Sequence, residues 1–156
     1  MGRGNHETMN LSSEIIRRRS AGRTTCLMTA IDSKAENAIA IVDRVVEAQG
    51  WRGINDGWLE ISAADAHAIV STLLHRDLAY GIEIMPFTVA AEFATRFLDL
   101  VPEPHSYFTN SDWAVTGDSA PATLNGWTPI SDATFDSGVV CLGDGAAAML
   151  WVEDED

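Results

Sequence analysis

GVVCLGDGAAAMLWVEDED, residues 138–156, decides how the chain folds. Two apolar runs, 138–142 and 146–152, flank Gly143-Asp144-Gly145. Asp-Gly between apolar runs signals a hairpin, because both residues tolerate the positive φ of a tight turn. The spacing therefore predicts a C-terminal β-hairpin. Its second strand runs into four acids, Glu153, Asp154, Glu155 and Asp156. Terminal charge on an apolar strand discourages edge-to-edge association, and the same charge is available to a partner.

Just upstream, 126–145 reads GWTPISDATFDSGVVCLGDG. Trp127 and Phe135 are expected to pin this loop to the core, and Pro129 to stiffen it. A loop held that firmly is a recognition element, and it would carry Asp132 and Asp136. From His105 onward, SYF, WAV and GWTPI are short pieces that suit edge strands or ordered loops.

The first half of the chain is helical in pattern. In 33–49, Ala35, Ala38, Ile39, Val42, Val45 and Val46 recur at helical spacing. Ser33 and Glu36 make a capping-box pattern at the start, and Gly50 ends the helix. Glu36, Asp43 and Glu47 form a stripe on its polar side. WLEI, 58–61, suits a short strand. A second helix starts at Ser62, with Asp65 as cap partner, and buries Ala66, Ile69, Val70, Leu73, Leu74 and Leu78. AYGIEIM, 79–85, reads as a strand or a bent continuation. Pro86 opens a third helix, with Val89, Ala90, Phe93, Ala94, Phe97, Leu100 and Val101 inward, and Pro102-Glu103-Pro104 stops it. Helices first and antiparallel strands after give an α+β fold, about three helices packed on a small antiparallel sheet that ends in the hairpin.

Residues 1–27 differ from the rest. They are basic, polar and without sustained periodicity, and the apolar core of a secretory signal is missing after Arg17, Arg18 and Arg19. They are expected to be a flexible basic leader outside the native domain, with a single globular domain over 28–156 and a start at Met1 or Met28. The 156 residues suit one core, and no apolar run is long enough to span a membrane.

Charge is the strongest compositional signal. Ten Lys and Arg face 23 Asp and Glu, a net of −13. Without 1–27, 5 bases face 21 acids, a balance of −16. Such a field repels nucleic acid and anionic membranes and attracts basic surfaces. It also exceeds the net charge of about 2–8 that solubility asks of a small domain. Two cysteines, Cys26 and Cys141, make neither a disulfide framework nor a zinc site, in keeping with a cytoplasmic protein.

Catalytic patterns are scarce. There is no GxSxG elbow, phosphate-binding glycine loop or HExxH pair. Ser137, His105 and Asp136 are the parts of a triad only if the fold assembles them. His67 and His75 are eight residues apart, too far along a helix to share a metal easily, and are expected to be surface or boundary residues. No cofactor or metal is implied.

In general character the last 30 or so residues, small, acidic and of mixed α+β pattern, resemble bacterial toxin-immunity proteins. The resemblance has no diagnostic motif and carries no site residues over. It implies a protein that occludes the active site of a toxin domain, often a basic nuclease. The leading expectation is thus a non-enzymatic, cytoplasmic inhibitor that binds a basic protein partner, with no direct nucleic-acid or membrane contact. The expected partner-binding residues are Asp132, Asp136, Asp144, Glu153, Asp154, Glu155 and Asp156, with Trp127 or Trp113 as aromatic anchors. Two alternatives stand beside it, a nucleic-acid mimic that uses the stripe Glu36, Asp43 and Glu47, and a small hydrolase whose site has no sequence signature.

Overall fold

The structure, a computed structural model, describes residues 2–32, 37–103, 105–117 and 120–156, with side chains from His6 onward. Its centre is the predicted hairpin. Strands β6 (Phe135–Leu142) and β7 (Ala146–Asp154) pair antiparallel from Phe135↔Asp154 to Leu142↔Ala147. With β3 (Ser106–Thr109) they are the inner strands of a five-stranded antiparallel sheet whose edges are β1 (Arg23–Ala30) and β2 (Leu59–Ile61), in the order β1-β7-β6-β3-β2. A separate two-stranded ribbon joins β4 (Ser111–Ala114) to β5 (Thr123–Trp127).

Both faces of the sheet are covered, which explains why 147–152 is apolar without alternation. On one face Val139, Cys141, Ala148, Leu150 and Val152 pack against α1 (Gly2–Arg18), α3 (Ala63–His75) and α4 (Phe87–Leu98). On the other, Val140, Leu142, Ala147, Met149 and Trp151 meet α2 (Ala38–Glu47), Trp58 and Ile130. Trp151 is the hub of that second core, with Trp58 edge-on at 5.8 Å and Trp51 tilted at 6.4 Å. Gly138 makes room for it. A Cβ there would lie 2.1 Å from the Leu150 carbonyl and 2.4 Å from the Trp151 ring.

Several expectations change. Residues 2–27 are not a loose leader: they supply α1 and the first half of β1, and Leu11 and Ile15 are fully buried. Two apolar anchors on a polar helix suffice because the sheet provides the other side. There are four α-helices among the described residues rather than three. Ser33 and Glu36, the expected capping box, lie outside the described residues; α2 is capped by Asn37, whose side chain accepts from Ala40 N–H at 2.9 Å. The Ser62 cap on α3 forms as expected, accepting from Asp65 N–H at 3.1 Å, but the helix ends at His75, short of Leu78. Residues 79–85 make no strand. They form a turn held to Arg76 through an isolated bridge to Glu83.

Candidate functional site

The expected site residues divide between opposite ends of the sheet. Asp144 is exposed in the β6–β7 turn. The C-terminal acids lie at the far end of β7, nine residues long, roughly 30 Å away at the rise of an extended strand. Trp113 and Trp127 sit half-buried on the β4–β5 ribbon, with Trp127 tilted against Phe135 at 5.4 Å. That contact serves to pin the loop. Neither tryptophan lines the cleft described below.

Two of the expected surface acids are buried. Asp154 is 2% exposed and receives both ends of the Arg19 guanidinium, at 2.9 and 2.8 Å, and Leu78 N–H at 2.8 Å. Arg19, itself 3% exposed, spends its other donors on the carbonyls of Leu73, Ala21 and Arg76. Gly22, with φ +57°, keeps the space: a Cβ there would meet Asp154 Oδ1 at 2.1 Å. Asp136 is 0% exposed and meets only neutral donors. Ser131 Oγ reaches it at 2.8 Å, Asn110 Nδ2 at 3.0 Å, and the N–H groups of Ser131 and Ile130 at 3.1 and 3.2 Å. Trp151 Nε1 completes the set at 3.4 Å. Both carboxylates shape the end of the sheet and neither can touch a partner.

What they shape is exposed. On the Asp136 side an open cleft of about 560 Å³ is lined by Trp51, Arg23, Arg52, Asp132, Glu153 and Glu155, among others. Asp132 pairs with Arg52 at 3.2 Å in solvent, and Glu155 accepts from Thr134 N–H and its hydroxyl. Burial pushes the Glu153 carboxyl above its ordinary range. Arg23 opposes this, and Asp136 and Glu155 add to it.

On the Asp154 side stands a feature the sequence reading missed. Asp77 accepts from Tyr80 N–H at 2.8 Å and from Ile82 N–H at 2.6 Å, so one carboxylate holds the whole turn. The turn's base is bonded to the sheet, since Leu78 N–H donates to Asp154. It presents Tyr80, 67% exposed, and Ile82, 64% exposed. Large apolar side chains held out together on a stiff turn make this turn a candidate for a binding surface. The available signal was Asp-x-x-Tyr-Gly-Ile, an Asx-turn pattern, which apolar alternation disguised as a strand.

The catalytic alternatives gain little. Register sets Ser106 opposite Leu142, five residues along β6 from Ser137, so His105 and Ser137 are roughly 17 Å apart at strand rise. His105 instead contacts the Val101 carbonyl at 2.7 Å, and Ser137 Oγ shares a hydrogen with Ser111 Oγ at 2.6 Å. His75, expected near the surface, is buried with Nδ1 2.7 Å from the Met85 carbonyl; His67 lies between the Ala91 carbonyl and Thr95 Oγ1. Burial lifts both thiols, Cys26 and Cys141, to about 12, which keeps them protonated at neutral pH. In the acidic stripe, Glu36 lies outside the described residues, and Asp43 turns its carboxylate to Trp58 Nε1 at 2.7 Å and Ile54 N–H at 2.9 Å.

Comparison with protein-family models, curated proteins and solved structures finds no match.

Proposed function

We propose that this protein is an acidic binding protein that inhibits a basic protein partner, in the manner of an immunity protein that neutralises a toxin. The observation that carries the reading is the exposed apolar pair Tyr80 and Ile82 on a turn that Asp77 braces and Asp154 ties to the end of the sheet. Long-range attraction comes from a net charge of −13. Lasting affinity comes from the apolar pair, which needs little ordering on binding because Asp77 already fixes the turn. Asp132, Glu153 and Glu155, which line the cleft on the other side of the sheet, add acidic groups that select cationic side chains. The mechanism is steric: the end of the sheet covers the partner's working surface.

Affinity capture on the immobilised full chain from its native cell, washed at low and high salt, tests this. One stoichiometric basic protein is expected, held strongly at low salt and less at high salt. Retention of no specific protein, or of an acidic one, overturns the reading.

A further inference from the structure

The β4–β5 ribbon stands apart from the five-stranded sheet, and its two strands form a sheet of their own. Their register slips once. Asp112 stands opposite Gly126 and Trp113 opposite Leu124, so Asn125 is the extra residue of a bulge, with no partner across the ribbon. Asn125 is exposed, and among the described residues its side chain makes no hydrogen bond. The residue after it, Gly126, is not demanded by the fold. Its φ is not positive, and a Cβ built there meets nothing within 4 Å. Glycine in a strand also forgoes side-chain packing. What it does supply is access to its own backbone nitrogen, which no Cβ shields from the carboxamide carbon of Asn125.

The chemistry open to this pair needs water and no other reactant. The Gly126 nitrogen loses its proton and bonds to Asn125 Cγ, and the side-chain nitrogen leaves as ammonia. The product is a cyclic succinimide, which water then opens at either carbonyl. Cleaving the new Cγ–N bond leaves aspartate. Cleaving the original peptide bond leaves isoaspartate, whose main chain runs through Cγ and is one carbon longer. A regular strand resists ring closure, because its extended backbone holds the side chain away from the next nitrogen and the ladder engages that N–H. Both restraints are weak at this position. A bulged residue departs from regular strand geometry, and a ribbon of two strands opens at little cost.

The other asparagines lack the combination, since Asn-Gly occurs once in the chain. Asn110 is buried, with its Nδ2 spent on the Thr128 carbonyl and on Asp136. Asn37 is engaged as the cap of α2 and precedes alanine. Asn10 lies inside α1, before Leu11. We propose that Asn125 is a site of spontaneous, age-dependent modification, converting to aspartate and isoaspartate through a succinimide with Gly126. Conversion places a carboxylate on the bulge, next to the Asp112–Gly126 pair, where Asp112 is itself exposed. Isoaspartate also lengthens β5 between Leu124 and Trp127, which loosens the ribbon that carries Trp113 and Trp127. The inference does not depend on the identity of any partner.

The test incubates the folded full chain in neutral and in mildly alkaline buffer, with peptide mass mapping of samples taken over time. Isoaspartate is read separately, by enzymatic methylation of its free α-carboxylate. Residue 125 is expected to convert faster than every other asparagine and to yield both products. The rate is expected to rise with pH, because the attacking nitrogen must lose its proton. Gly126→Ala adds a methyl group that open space accepts, so this variant is expected to fold and to convert about tenfold more slowly or less. Asn125→Gln, whose ring would be larger, is expected to stay unmodified. An amide at residue 125 as long-lived as those of Asn10 and Asn37 overturns the proposal. So does conversion without isoaspartate, or an equal rate in wild type and Gly126→Ala.

Discussion

Asp136 and Asp154 occupy the same end of the β6–β7 hairpin, opposite Glu153 and Phe135 respectively, yet they face opposite sides of the sheet. Each closes the polar end of one hydrophobic core. Asp154 does so with a formal counter-charge, the bidentate Arg19 brought from 135 residues away in sequence. Asp136 does so with neutral donors only, drawn mainly from its own loop at Ile130 and Ser131. The first arrangement ties the N-terminal helix to the C-terminal strand. The second folds a local loop into the rim of the cleft. An acid in an acidic protein is thus defined by what stands opposite it, and two neighbours on one hairpin are consumed by different parts of the chain.

The contrast breaks most visibly at Arg19. Arg19→Ala leaves the Asp154 carboxylate buried with Leu78 N–H as its remaining donor, which is expected to cost about 3–5 kcal/mol in urea denaturation. Replacing both partners, Arg19→Met with Asp154→Leu, should recover most of that loss, because no unpaired charge remains. A single variant as stable as wild type would mean that α1 is not held by this pair. Asp136→Ala comes next, at about 2–3 kcal/mol, since several N–H and O–H donors lose their acceptor together while no charge is stranded. Equal losses at the two sites would remove the distinction between charged and neutral closure.

Glu153 gives the smallest effect and sharpens the contrast by pH. Its folded-state pKa is raised from 4.5, first by burial, so the folded protein holds this proton more tightly than the unfolded chain. Stability from this group is therefore lost as pH rises from 4.5 through its raised value, the reverse of the usual carboxylate trend. Glu153→Gln should flatten the pH profile of stability in that window and leave the neutral variant slightly more stable at neutral pH. An identical profile for wild type and variant contradicts the assignment.

The hairpin was legible because Gly143-Asp144-Gly145 and the runs beside it depend only on local chemistry. The Ser62 cap was legible for the same reason. The N-terminal region was not, because Leu11 and Ile15 look isolated until the sheet gives them a surface, and Arg19 looks surplus until Asp154 is found. Reading Arg17, Arg18 and Arg19 as one basic cluster hid that two stay exposed while the third is buried. At the candidate site, Asp132, Glu155 and Asp156 are exposed, whereas Asp136 and Asp154 are buried by long-range packing that composition does not reveal. Tyr80 and Ile82 were overlooked because alternation in 79–85 imitates a strand, and the Asp77 carboxylate that bends the segment acts from outside it.

The most direct test is side-by-side affinity capture by the wild-type chain and a Tyr80→Ala, Ile82→Ala variant, with urea denaturation of both. Exposed truncations of this kind are expected to change stability by less than about 0.5 kcal/mol. The account predicts a basic partner retained by the wild type and lost from the variant at equal stability. Equal retention by both chains would contradict it.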